Sequence, residues 1–168
     1  VHPLKNHLVE ILNRITDSGF FRSWRGRSGA GAAKESTGTR GERLAAGFLK
    51  KKGWRILYHS YSTPRGELDL IATAKIPQPD GSFRKTIVFV EVKTWTQAGQ
   101  GGPSDAVHAD KQRRVTNAAL EFLKQKSLLN SPARIDVIEV VLIGSDGQPA
   151  IRHFENAFDA VGNFQMYS

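Results

Sequence analysis

Two apolar runs of strand length carry charges inside them, and this feature limits the fold more than any other. The first reads Glu67-Leu-Asp-Leu-Ile-Ala-Thr73, the second Thr86-Ile-Val-Phe-Val-Glu-Val-Lys-Thr94. Side chains alternate between the two faces of a strand. Glu67, Asp69 and Ile71 therefore share one face of the first run, and Leu68, Leu70 and Ala72 the other. In the second run Phe89, Glu91 and Lys93 share a face, opposite Val88, Val90 and Val92. A charge buried without a partner costs several kcal/mol, so such charges must pair with one another or hold a metal.

Between the runs lies Pro77-Gln-Pro-Asp-Gly81, a hairpin signal. Opposed residues of an antiparallel pair have a constant sum of numbers. A turn centred on Asp80 gives 160 and opposes Asp69 to Glu91, while 162 opposes Asp69 to Lys93. A plain two-residue Asp80-Gly81 loop gives 161 and sets Asp69 against Val92, on the wrong face. The charges meet only across an odd-numbered loop or a bulge, which the flanking prolines favour. If they meet, Asp69 and Glu91 offer hard oxygen ligands to Mg²⁺ or Mn²⁺, helped by the Val92 carbonyl and water. Lys93, on the same face, is placed to orient or deprotonate an attacking water or to steady charge on a phosphate. Two acids, a lysine and a divalent metal suit phosphodiester hydrolysis. Glu42, on the preceding helix, is a candidate third acid. A Glu-x-Lys triplet alone is most often a surface ion pair, and the Asp on the neighbouring strand is what strengthens the catalytic reading.

The remaining pattern predicts an α/β fold: a central mixed sheet flanked by helices, in the order helix, three strands, helix, two strands. The first helix is expected from a Thr39 cap to Lys52, with Leu44, Ala45, Phe48 and Leu49 on its buried side. Strands are expected over 54–61, 67–73, 86–94, 134–143 and 150–154, and a long helix over 104–128. Ahead of these, Leu4, Leu8, Ile11, Leu12 and Ile15 form one apolar stripe, so residues 3–17 read as an amphipathic helix. The Gly-, Ser- and Ala-rich stretch from Ser23 to Gly38 reads as a flexible linker. The expected organisation is thus a helix and linker over 1–37 and the main domain over 38–168.

The 168 residues contain no cysteine, which excludes disulfides, thiolate metal sites and a cysteine nucleophile. No run approaches the roughly 20 apolar residues of a membrane span, and Glu10 and Arg14 interrupt the N-terminal apolar segment, so a cytoplasmic protein without a membrane partner is expected. Twenty-four Lys and Arg against sixteen Asp and Glu give a net charge of +8, which favours an anionic partner. Lys111, Arg113 and Arg114, at the start of the long helix, are candidate phosphate contacts. The five histidines have no metal-ligand spacing. Ala98-Gly-Gln-Gly-Gly102 lacks the Gly-Lys-Ser/Thr ending of a phosphate loop and reads as a loop beside the metal site.

Several segments together resemble the YraN-like family of small bacterial proteins. They are Arg40-Gly-Glu42, Gly66-Glu-Leu-Asp-Leu-Ile-Ala72, Phe89-Val-Glu-Val-Lys-Thr94, Gly102-Pro103 leading to Ala106-Val107 and Lys111, and Arg134-Ile-Asp-Val137. Members are similar to the restriction-endonuclease-like PD-(D/E)xK nucleases, distantly including Holliday-junction resolvases. The resemblance implies that Asp69, Glu91 and Lys93 form the catalytic core, with Glu42 an additional metal-side acid and Lys111 a further basic position. It implies a Mg²⁺- or Mn²⁺-dependent endonuclease acting on DNA, including branched or repair and recombination intermediates. A homodimer or a DNA-processing protein partner is compatible with it. The alternative is a catalytically quiet nucleic-acid-binding module serving such a partner. Departures are Trp95, where the family often has Arg, and Ser60 and Ser62, where it often has Asn and Arg. Trp95 is a candidate for stacking on an unpaired base, against the plainer role of a packed anchor.

Overall fold

The computed structural model describes residues 35–96, 109–143 and 148–158. The expected N-terminal helix, nearly all of the linker, the Gly-rich loop and the first residues expected in the long helix lie outside them. Helix α1 (Thr37–Lys51) leads into strands β1 (Arg55–Thr63), β2 (Gly66–Pro77) and β3 (Phe83–Thr96). Helix α2 (Ala109–Gln125) then precedes β4 (Ala133–Leu142) and β5 (Ala150–Phe154). The five strands form one mixed sheet in the order β1-β2-β3-β4-β5, with only the β3–β4 pair parallel. The connection between parallel strands needs a crossover, and α2 lies within it. No helix among the described residues is long and apolar enough to cross a membrane.

Each helix takes one face of the sheet. On α1, Ala45, Ala46 and Leu49 are buried against Leu70, Ala72, Val88, Val90, Ile138 and Val140. On α2, Val115, Ala118, Ala119, Phe122 and Leu123 recur at helical spacing and are buried. Phe122 meets Phe89 edge-on with ring centres 5.7 Å apart, and Tyr58 and Tyr61 close on the same ring at 5.6 and 5.2 Å. The alternation read from sequence therefore holds: Val88 and Val90 face α1, while Phe89 and Glu91 face α2.

The cap of α1 is Ser36, not Thr39; its Oγ accepts from the Thr39 N–H at 3.1 Å. Serine at that position satisfies an otherwise unpaired first-turn donor, so the helix starts three residues early. Strands β2 and β3 run on to Pro77 and from Phe83, beyond the expected ends. The extra residues, Lys75 and Lys85 among them, lack the apolar pattern by which strand limits are recognised.

A buried polar network pins β4 to β5. Asp136 is fully buried. One carboxylate oxygen lies 2.8 Å from His153 Nε2 and accepts from Arg134 Nη2 at 3.1 Å, and the other accepts from the Asn156 N–H at 2.9 Å. Arg134 also pairs with Glu155 at 3.0 Å and lies over the Trp54 ring.

Candidate active site

The β2–β3 ladder decides whether the charges meet. It pairs Pro77 with Phe83, Ile71 with Phe89 and Leu70 with Val90, a constant sum of 160. The connecting loop is Gln78–Ser82, five residues centred on Asp80, closed by Gln78 N–H donating to Ser82 O at 2.8 Å and held by Asp80 Oδ1 accepting from Ser82 N at 2.9 Å. The next step after Leu70–Val90 sets Asp69 opposite Glu91, where the ladder stops. There the Asp69 side chain takes over a ladder role: its Oδ2 accepts the Val92 N–H at 2.7 Å. The N–H and C=O of one strand residue point to the same edge, so the Val92 carbonyl faces this gap too.

Glu91 is only 3% exposed. Its Oε1 lies 3.0 Å from Lys111 Nζ and 3.4 Å from Lys93 Nζ, while its Oε2 is buried with no hydrogen-bond partner. Burial first, and then the Glu91 charge, push the Asp69 carboxyl up to about 7, against the opposing pull of the Val92 N–H and Lys111. Glu42 is raised as well, by burial and by the Glu67 and Glu91 charges, with a Ser60 hydroxyl bond at 3.0 Å pulling the other way. Four carboxylates thus crowd one end of the sheet, and two lysines compensate them.

Two glycines of the recognised segments set this geometry by absence of a side chain. A Cβ on Gly41 would run into Thr94, 2.9 Å from its Cβ, so α1 lies against β3 at the residue preceding Glu42. A Cβ on Gly66 would come 2.9 Å from the Arg114 carbonyl, so the start of β2 sits directly on the first turns of α2, which carry Lys111. Gly41→Ala is expected to lower stability by about 1–3 kcal/mol through overpacking and to move Glu42 off Ser60. Urea titration measures the first effect, and Thr94→Ala in the same chain should restore part of it.

Ser60 was not among the residues singled out for chemistry. A one-residue bulge at Leu57 shifts the β1–β2 register, pairing Ile56 with Ala72 but Tyr58 with Ile71, and so brings Ser60 opposite Asp69. Bulges recur beside active sites because they re-aim a side chain. Ser60 has φ +46°, a left-handed backbone that asparagine tolerates better. Ser60→Asn, the residue often found here in the family resembled, is expected to stabilise the protein by about 0.5–1 kcal/mol and to keep a donor on Glu42. A lower urea midpoint would overturn this.

The basic candidates separate. Lys111 joins the carboxylates through Glu91. Arg113 is exposed and pairs with Asp110 at 3.0 Å, and Arg114 is exposed. Trp95 is half-buried, its indole N–H out of solvent without an acceptor. Glu67 is exposed two residues before Asp69.

Among the described residues no three His, Cys, Asp or Glu side chains form a metal-binding group. A cation here would take Asp69, Glu91 and the Val92 carbonyl, with water completing its shell. The donor chemistry fits a hard divalent ion, and the unpartnered Glu91 Oε2 is the atom such an ion would satisfy.

These observations define a small α/β domain with a carboxylate–lysine cluster where two strands part. A family model described as uncharacterised protein family UPF0102 matches residues 41–140, a span holding Glu42, Asp69, Glu91, Lys93 and Lys111. The chain belongs to this family. It is 41% identical over 166 residues to a UPF0102 protein of Rhodopirellula baltica, covering 96% of this chain and 95% of that one. It is 39% identical over 137 residues to one from Anaeromyxobacter dehalogenans (82% and 94% covered). It is 43% identical over 122 residues to one from Geobacter sulfurreducens (73% and 88% covered). The family is the one that the segments around Gly66 and Glu91 indicated.

Proposed function

We propose that the protein is a divalent-metal-dependent nuclease that hydrolyses phosphodiester bonds in DNA, with branched or repair and recombination intermediates as its substrates. One observation carries this reading: Asp69 and Glu91 are opposed at the point where β2 and β3 part, with Lys93 and Lys111 on the Glu91 carboxylate. The likeness of the recognised segments to PD-(D/E)xK nucleases supports it. Mg²⁺ or Mn²⁺ held by Asp69, Glu91 and the Val92 carbonyl would supply Lewis-acid activation of the phosphodiester. Lys93, freed from Glu91, orients the attacking water and offsets charge on the phosphoryl oxygens as one P–O bond forms and the other breaks. Lys111 holds Glu91 from the helix side. Glu42, fixed by Ser60, adds a carboxylate to take the water's proton.

The second reading is a catalytically quiet DNA-binding module. It is favoured by the two ammonium groups on Glu91 Oε1, which can neutralise the carboxylate without a metal. A panel of linear, single-stranded, flap and four-way DNA, with and without Mg²⁺ or Mn²⁺, separates the two. Glu91→Gln is expected to abolish cleavage yet keep or strengthen DNA binding. Lys93→Ala should retain metal affinity in calorimetry and lose roughly 10²–10⁴-fold in rate. Absence of both cleavage and metal affinity in the unaltered protein would leave the binding module.

A further inference from the structure

The end of the β2–β3 hairpin remote from the carboxylates carries a second charged feature. Lys75 and Lys85 are direct partners in the ladder, so both project from one face. Directly opposed like charges destabilise a strand pair. Arg55 pairs with Thr73 on the adjoining strand, two residues from Lys75 and on the same face. Among the described residues none of the three has an acidic partner within ion-pair distance. The Lys85 ammonium is held below its usual range by partial burial and by the charges of Arg55 and Lys75. Phe83, two residues before Lys85 and therefore on its face, is 67% exposed. Three cations without an acidic partner among the described residues, Lys75 opposite Lys85 and diagonal to Arg55 with neighbours about 4.5–8 Å apart at Cβ, lie beside an open aromatic ring. These are the two components that hold an unpaired polynucleotide strand, charge for the backbone and a ring for a base. The catalytic end, with four carboxylates against two lysines, repels phosphate and gains from a cationic grip elsewhere.

We propose that Arg55, Lys75, Lys85 and Phe83 form a platform for single-stranded DNA, about 20 Å along the strands from Asp69 and Glu91. It rests on the reading of the protein as DNA-directed but not on catalysis. The platform would hold an unpaired tail or flap while the site acts elsewhere on the same substrate. An acidic protein segment is the competing occupant, and Phe83 favours DNA because a base offers a face to stack on.

The test is fluorescence anisotropy of a labelled oligothymidylate at several salt concentrations, on the full chain without divalent metal. Lys75→Ser with Lys85→Ser should flatten the slope of log affinity against log salt by about 1.4, roughly 0.7 for each phosphate contact removed. Phe83→Ser should weaken binding roughly tenfold with the slope unchanged. Lys75→Glu should weaken binding while raising the melting temperature, because it converts a like-charge pair into an opposite one; this separates lost binding from lost folding. Wild-type affinity and slope in these variants, no oligothymidylate binding by the unaltered protein, or tighter patch-dependent binding of polyglutamate would each overturn the proposal. Patch-dependent binding without metal-dependent cleavage of any substrate would uphold the platform and defeat the nuclease reading alone.

Discussion

Asp69→Asn is expected to make the metal-free protein more stable at pH 8 and to abolish the proposed hydrolysis. The Asp69 carboxyl titrates at about 7 in the folded chain, raised by burial and then by Glu91, against about 4 when unfolded. Between those values the folded protein keeps a proton that the unfolded chain has released. Stability therefore falls as pH rises from 4 to 7, and above 7 the full cost is present. A displacement of that size corresponds to at most on the order of 4 kcal/mol at pH 8. Asparagine removes the charge and keeps an oxygen for the Val92 N–H. The melting temperature measured in EDTA should rise by several degrees at pH 8, and the gain should vanish near pH 4. An equal gain at both pH values would mean that packing, not charge, is responsible. A gain in stability coupled to loss of activity is the mark of a site strained for its task.

The largest loss of stability is expected from Asp136→Ala. Asp136 is fully buried and serves His153, Arg134 and the Asn156 N–H together. Removing it takes from a guanidinium only 12% exposed the buried one of its two carboxylates, leaving half-exposed Glu155, and deprives the Asn156 N–H of its acceptor. Breaking a buried pair from one side costs about 3–5 kcal/mol, a large share of a typical domain's 5–15 kcal/mol. Denaturant unfolding should show it directly. Because Asp136 points to the face of α1, a folded remnant at low temperature should keep the metal affinity proposed for Asp69 and Glu91. A cost below about 1 kcal/mol would show that the network contributes nothing beyond its replacement by water.

The sheet faces and the meeting of Asp69 with Glu91 were legible because strand alternation has a strict period of two and the hairpin sum admits few values. Glu42 and Lys111 were visible as a helix acid and one of a basic cluster, but their place beside Glu91 followed only from segment resemblance, since nothing in helix periodicity distinguishes a site residue from a solvated one. Ser60 was hidden by the bulge: one extra residue, Leu57, carries no compositional mark, yet it decides which residue of β1 stands opposite Asp69. The partnership of Asp136 with His153 was equally hidden, because it depends on β4 and β5 lying side by side. Lys75 and Lys85 fell outside the expected strands because charge at a sheet's end looks like loop.

The Glu91–Lys111 ion pair also ties residue 91 to residue 111, closing the chain between them into a ring across the β3–α2 connection. Such a closure has an entropic cost that grows slowly with its length. The carboxylate oxygen proposed as a ligand is thereby also a knot in the chain. A ligand that claims it unties the knot, so occupancy of the site should be audible in α2: amide exchange between residues 111 and 117 should quicken as the Glu91 oxygen changes partners.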